Sequence, residues 1–175
     1  MDNQQERLHF NIGYLLGLID GEGSYQLSVD YGKRRKDGGR KRYFTPQTSI
    51  FNSDPRIIDR CVEILKELDI TFHVWTPKLT KGHTPVTRIV VHGIGRNKKL
   101  LDIVTKYPHG KIERAKLLLA FVDRRLSIPK EELGSSIEES YSEVEYDLKN
   151  KLSKMNKEYN TRGRILRDYT LNTER

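Results

Sequence analysis

The chain has 175 residues, enough for one domain with a substantial core and short for two. Its 32 Lys and Arg against 24 Asp and Glu leave a net charge of +8, which attracts a polyanion such as nucleic acid or an anionic membrane surface. A single cysteine, Cys61, excludes an intrachain disulfide or a cysteine-based zinc site, and its amphipathic setting makes it a small core residue.

The longest apolar run, Tyr14 to Ile19, is broken by Gly17 and is far below the roughly 20 residues that span a bilayer. The opening MDNQQERLHF resembles neither a signal nor a transit peptide. The expectation is a soluble, intracellular protein without a membrane partner, in a prokaryotic cytoplasm or inside an organelle.

In chain order, Phe10 to Ile19 is apolar or glycine except for Asn11, which predicts a helix buried on several sides. Ser24 to Tyr31 alternates, with Tyr25, Leu27, Val29 and Tyr31 on one face and Ser24, Gln26, Ser28 and Asp30 on the other, as in a strand with one wet face. Gly32 to Arg42 carries seven cations around Asp37-Gly38-Gly39 and reads as a long hairpin loop. The return strand, Tyr43 to Phe51, puts Tyr43, Thr45, Gln47 and Ser49 on one face and Phe44, Thr48 and Ile50 on the other, and Pro46 argues against full pairing there.

Asp54-Pro55 marks a helix start that continues to Leu68 through Ile57, Ile58, Cys61, Ile64 and Leu65. A second hairpin is predicted from Thr71 to Leu79 and Pro85 to His92, followed by helices at Asn97 to Lys106 and Lys111 to Leu126. Beyond Pro129 an acidic stretch and then a basic one, each with spaced apolar residues, read as helices packed on the domain or as a partly mobile arm. Residues 1–128 therefore form the expected core domain and 129–175 an extension. Strands clustered in hairpins favour an α+β fold with an antiparallel sheet.

Asp20-Gly21-Glu22-Gly23 follows the apolar helix, and there two carboxylates meet the negative end of the helix dipole. A divalent ion such as Mg²⁺, bound by carboxylates and a backbone carbonyl, resolves that conflict. An exposed turn needing no metal explains the same four residues. Gly13 and Gly17, four apart on one helical face, each cost roughly 1 kcal/mol relative to Ala and permit close approach of a second helix. If that helix comes from a second copy, two acidic termini meet at a two-fold axis.

Leu15-Leu16-Gly17-Leu18-Ile19-Asp20-Gly21-Glu22-Gly23 resembles the signature of the LAGLIDADG homing endonucleases, and the element order from about residue 10 to 126 resembles the family's αββαββα domain. Here Glu22 stands where many members have Asp. The resemblance implies a site-specific, intron-encoded DNA endonuclease that makes metal-dependent double-strand breaks in a long pseudopalindromic site. A single signature implies a homodimer with Gly13, Leu16, Gly17 and Asp20 at the interface. Gly21, Glu22 and Asp20 become the metal site, for Mg²⁺ with Mn²⁺ substituting and Ca²⁺ binding without supporting cleavage. Lys111 resembles the basic residue near the scissile phosphate. Asn52, or Ser53 in its place, resembles the polar residue that orders water, although capping of the helix at Pro55 explains either equally well.

A two-stranded ribbon enters the major groove with its polar face. Gln26, Ser28 and Asp30 with Thr45, Gln47 and Ser49 supply such a face, and Arg34, Arg35, Arg40 and Arg42 reach guanines or phosphates beside Lys33, Lys36 and Lys41. Arg88 joins them from the second hairpin, with Trp75 and Lys78 as further candidates. An ordinary solvated sheet face and a solubilising loop account for the same residues. Two other functions fit the scaffold: an RNA-splicing maturase or non-cleaving DNA-binding protein, and a structural dimerisation module.

Overall fold

A computed structural model of the chain describes residues 3–34, 40–77, 84–129, 132 and 141–173, with side chains described for these except 33–34, 40–41 and 159–173. The elements are α1 (Asn3–Glu22), β1 (Gly23–Arg34), β2 (Arg40–Asn52), α2 (Pro55–Glu67), β3 (His73–Trp75), β4 (Thr87–His92), α3 (Ile94–Val104), α4 (Ile112–Ser127) and α5 (Glu143–Thr173). All strand pairs are antiparallel, in the order β1-β2-β4-β3. The expected α+β architecture is present.

Strand alternation decides which face is covered. Tyr25, Leu27, Phe44, Ile50, Ile89 and Val91 are buried and join one cluster with Leu15 and Ile19 of α1, Cys61 and Ile64 of α2, Leu101 of α3 and Phe121 of α4. The opposite face carries the polar residues. On α2 the Asp54 carboxylate accepts from Arg56 N at 2.9 Å, and Pro55 opens the helix where no intrahelical N–H bond is lost.

Several boundaries differ from expectation. Helix α1 starts at Asn3 rather than Phe10 and runs through Glu22, so the acidic residues lie in its last turn, not beyond it. It is buried on one side only: Asn11, Ile12, Leu15, Leu16 and Ile19 face the core, whereas Phe10, Gly13 and Gly17 are exposed. The first hairpin has longer strands than expected, reaching Arg34 and restarting at Arg40. Among the described residues of the expected Thr71 to Leu79 strand, only His73 to Trp75 pair with β4, at the sheet edge, and all three are exposed.

Helix α3 begins at Ile94 because Gly93, at φ 93°, makes a turn that a side chain would strain. Asn97 is therefore no helix start. Buried, it donates to the carbonyls of Pro46, Val91 and Gly93 and accepts from the Thr48 hydroxyl at 2.8 Å, pinning β2, β4 and α3 together. Asn11, the one polar residue of the apolar run, is likewise buried and satisfied by Arg60 and Glu67 of α2.

Helix α5 packs on α4 and β1, and Leu152 belongs to the same hydrophobic cluster. At its start the Glu145 carboxylate accepts from Ser142 N at 2.7 Å and from the Ser142 hydroxyl at 3.0 Å, the reaching-back half of a capping box. The same carboxylate pairs with Arg125 of α4 at 3.1 Å, both side chains buried. Among the described residues no helix is long and apolar enough to cross a membrane.

Candidate catalytic site and nucleic-acid interface

The site forms where the C-terminus of α1 meets the N-terminus of α4. Ile19 and its neighbours leave carbonyls without intrahelical partners, and α4 leaves N–H groups likewise. Each helix end is met by a side chain or backbone group from the other's junction. The buried Lys111 ammonium donates to the carbonyls of Ile19 and Gly23, both at 2.8 Å, while the Asp20 carboxylate accepts from Gly110 N at 2.6 Å and Lys111 N at 2.9 Å. Opposite charges thus sit on opposite dipole ends. The cation that the acidic helix terminus requires is supplied, at least in part, by Lys111.

Gly23 makes the junction possible. A Cβ there would lie 2.7 Å from Ile19 Cα and 2.9 Å from Ser49 O, both backbone atoms that cannot swing away. Its glycine serves close approach, not a left-handed turn. Burial, and after it the Arg114 guanidinium, lower the Lys111 pKa from its ordinary value, opposed by Asp20 and Glu22. Beneath the junction lies Tyr25, whose hydroxyl is 3.4 Å from His109 Nε2; burial and then the Asp20 charge raise its pKa.

Glu22 differs from Asp20. It is exposed and borders an open pocket of about 400 Å³ together with Gly21, Ser24, Gln26, Phe51, Lys111, Arg114 and Asn156. Asn52 turns toward the helix start, its Oδ1 accepting from Asp54 N at 2.8 Å, and Ser53 is exposed beside it. Among the described residues, no three His, Cys, Asp or Glu side chains converge on a metal-sized site.

Sequence reasoning missed four of these pocket residues, Ser24, which continues the alternation of Gln26 and Ser28, among them. Arg114 lies one turn after Lys111 on the same face of α4, a spacing that would have found it. Phe51 shares the parity of Ser49 and Gln47 on β2. Asn156 comes from α5 and donates to the Tyr25 carbonyl at 2.9 Å; no local pattern links a residue so distant in sequence.

The pocket opens at the edge of the polar sheet face. Register places Ser24 opposite Ser49, Gln26 opposite Gln47, Ser28 opposite Thr45, and Asp30 opposite Tyr43. Beyond β2 the same face continues with Arg88 opposite Phe51 and Trp75 opposite Arg88, the indole 60% exposed. His92, which had no expected role, lies opposite Gln47 and holds Asp30 Oδ2 at 3.0 Å. Arg42 is exposed at the hairpin end of β2 but pairs with Tyr31 and shares the parity of Phe44, so it lies on the other face of the sheet from Thr45 and Gln47. Arg35, Lys36 and Lys78 lie outside the described residues, as do the side chains of Lys33, Arg34, Arg40 and Lys41.

Of the expected interface residues on α1, Gly13 and Gly17 face open space, a Cβ at either meeting nothing within 4 Å. Leu16 does not share that side: only 5% exposed, it is turned into the chain's own core. The open stripe is instead Phe10, Gly13, Gly17 and Gly21.

No protein-family model and no curated protein matches the chain. Solved structures do. The archaeal intron-encoded homing endonuclease I-Vdi141I, complexed with DNA, aligns at a TM-score of 0.60 and 19% identity over 83% of this chain and 84% of that one. The homing endonuclease I-CvuI, in complex with its target, aligns at a TM-score of 0.58 and 17% identity over 85% and 83%.

Proposed function

The chain has the fold of the LAGLIDADG homing endonucleases, and we propose that it is a site-specific, metal-dependent DNA endonuclease acting as a homodimer on a long pseudopalindromic site. The carrying observation is Glu22: an exposed carboxylate in the last turn of α1, bordering a pocket that opens onto a polar sheet face. Double-stranded DNA laid along that face brings a phosphodiester to the pocket.

The donor set fits Mg²⁺. Glu22 supplies a hard oxygen, and Gly21 supplies a carbonyl from a turn whose carbonyls lack helical partners. One chain offers no full cage, and Mg²⁺ needs none, since it keeps waters and completes its shell with phosphate oxygens. Such an ion would supply Lewis acidity at the phosphate. The chain's own residues do the rest: Asp20 holds the α1–α4 junction, Lys111 fixes the helix end that aims Glu22, and Arg114 adds positive charge for the phosphate. Asn52, whose Oδ1 accepts from Asp54 N, serves the start of α2 and is not among the residues lining the pocket.

The homodimer reading is supported by the open stripe on α1. Glycines at residues 13, 17 and 21 let the same helix of a second copy approach closely, bringing two Glu22 carboxylates to the two strands of one duplex. The two DNA-bound structural neighbours favour an intron-associated role, since one of them is intron-encoded.

The test is cleavage of a plasmid library bearing candidate insertion sites, with Mg²⁺, Mn²⁺ or Ca²⁺, beside Glu22→Gln. Cutting by the wild type with Mg²⁺ and Mn²⁺ is expected, with binding alone in Ca²⁺. The variant is expected to lose on the order of 100-fold or more in rate, the scale of one lost electrostatic group in a preorganised site. Equal cutting by Glu22→Gln overturns the assignment.

A further inference from the structure

We propose that Arg88 is the residue through which this chain reads guanine, held ready for it by Gln47, Ser49 and Phe51. The proposal rests on the sheet face being the DNA-binding surface. On that face Arg88 Nη2 donates to Gln47 Oε1 and to Ser49 Oγ, both at 2.9 Å, and Nε donates to Ser49 Oγ at 3.3 Å. The guanidinium carbon lies 5.3 Å from the centroid of the Phe51 ring.

An arginine on an open sheet face ordinarily samples many rotamers and loses that freedom when it binds. Arg88 has already lost it, so less ordering remains for the encounter. Ser49 and Gln47 engage three of its five N–H groups, and the two on Nη1 remain for a partner beyond the sheet. Gln47 gives its oxygen to Arg88, which leaves its amide nitrogen as a second donor beside the guanidinium. Arg88 and Gln47 together therefore offer donors.

Major-groove edges differ in what they offer such a patch. Guanine presents two acceptors, N7 and O6; adenine sets a donor beside its acceptor, thymine a methyl beside a single acceptor, and cytosine a donor. Guanine alone meets donors with nothing but acceptors. Across the same face Asp30, held by His92, presents acceptor oxygens, so the two ends of the surface read opposite chemistry. A phosphate would also accept from Arg88, but phosphate contacts change affinity uniformly and carry no base preference.

The experiment is selection from randomised duplex DNA with fixed flanks, in Ca²⁺, comparing wild type with Arg88→Ala, Arg88→Lys and Gln47→Ala, all checked for unchanged melting. Wild type is expected to enrich a two-fold symmetric sequence with guanine at one position of each half-site. Arg88→Ala is expected to lose about tenfold or more of discrimination there and nowhere else. Arg88→Lys retains the charge and still loses most of it, and Gln47→Ala shows a smaller loss at that position. An unchanged preference in Arg88→Ala, or uniform weakening with a shallower salt dependence, overturns the guanine assignment alone. Failure of the wild type to enrich any sequence overturns the DNA-binding reading and this proposal with it.

Discussion

Asp20 and Glu22 stand two residues apart in one helical turn and do different work. Both Asp20 oxygens accept backbone N–H groups of the α4 start, whereas Glu22 is exposed at the pocket. Replacing an oxygen of Asp20 by an amide sets a donor against a donor. Asp20→Asn is expected to cost about 1–3 kcal/mol of stability by denaturant titration. Glu22→Gln is expected to remain within about 0.5 kcal/mol of wild type while losing cleavage. Reversed results would exchange the two roles. Asp54 offers a pH-dependent check on a cap. The hydrogen bond from Arg56 holds its carboxyl at about 2, below the ordinary 3.8, so its stabilisation is complete above 3.8 and is lost as pH falls through 2. The melting difference between wild type and Asp54→Ala should be present near neutrality and close toward pH 2.

At the scale of elements, the glycines of α1 separate two kinds of constraint. Gly23 touches backbone on both sides, so Gly23→Ala must force α1 away from β2, a strain of about 1–3 kcal/mol measurable by chemical denaturation. Gly17 touches nothing within its own chain. Gly17→Leu should therefore leave the fold of a single chain intact and abolish self-association in sedimentation; a Gly17→Leu protein that still dimerises would remove α1 from the interface. Helix α2 carries an internal reporter. Cys61 is fully buried, and burial pushes its thiol up to about 12. Iodoacetamide at about pH 8 should leave it unmodified in the native protein and label it fully in denaturant.

At the scale of the molecule, α5 is held by a buried charge pair. Arg125 and Glu145 meet at 3.1 Å with side-chain exposures of 6% and 0%, and the Arg125 guanidinium also stacks 4.2 Å over the Tyr141 ring. Removing one partner leaves the other charged and buried. Glu145→Ala is expected to cost about 3–5 kcal/mol, with α5 becoming the first segment released in limited proteolysis. Asn156 ties this helix to the pocket, so loosening α5 should also slow cleavage.

Period-two alternation on β1 and β2, the Asp54-Pro55 start and the Leu15 to Gly23 signature made the sheet face, helix α2 and the acidic terminus legible in the sequence. Each is a local property, set by residues within a few positions of one another. Tertiary structure alone decided that Lys111 and Asp20 cap each other's helices, that Asn156 enters the pocket, and that Arg88 is fixed by Gln47 and Ser49. These pairs are separated by roughly forty to more than a hundred residues, and a chain pattern carries no record of which distant elements will meet. The fold's α+β class followed from the order of its elements; the chemistry of its pocket followed from where two helix ends, each short of hydrogen-bond partners, came to rest against one another.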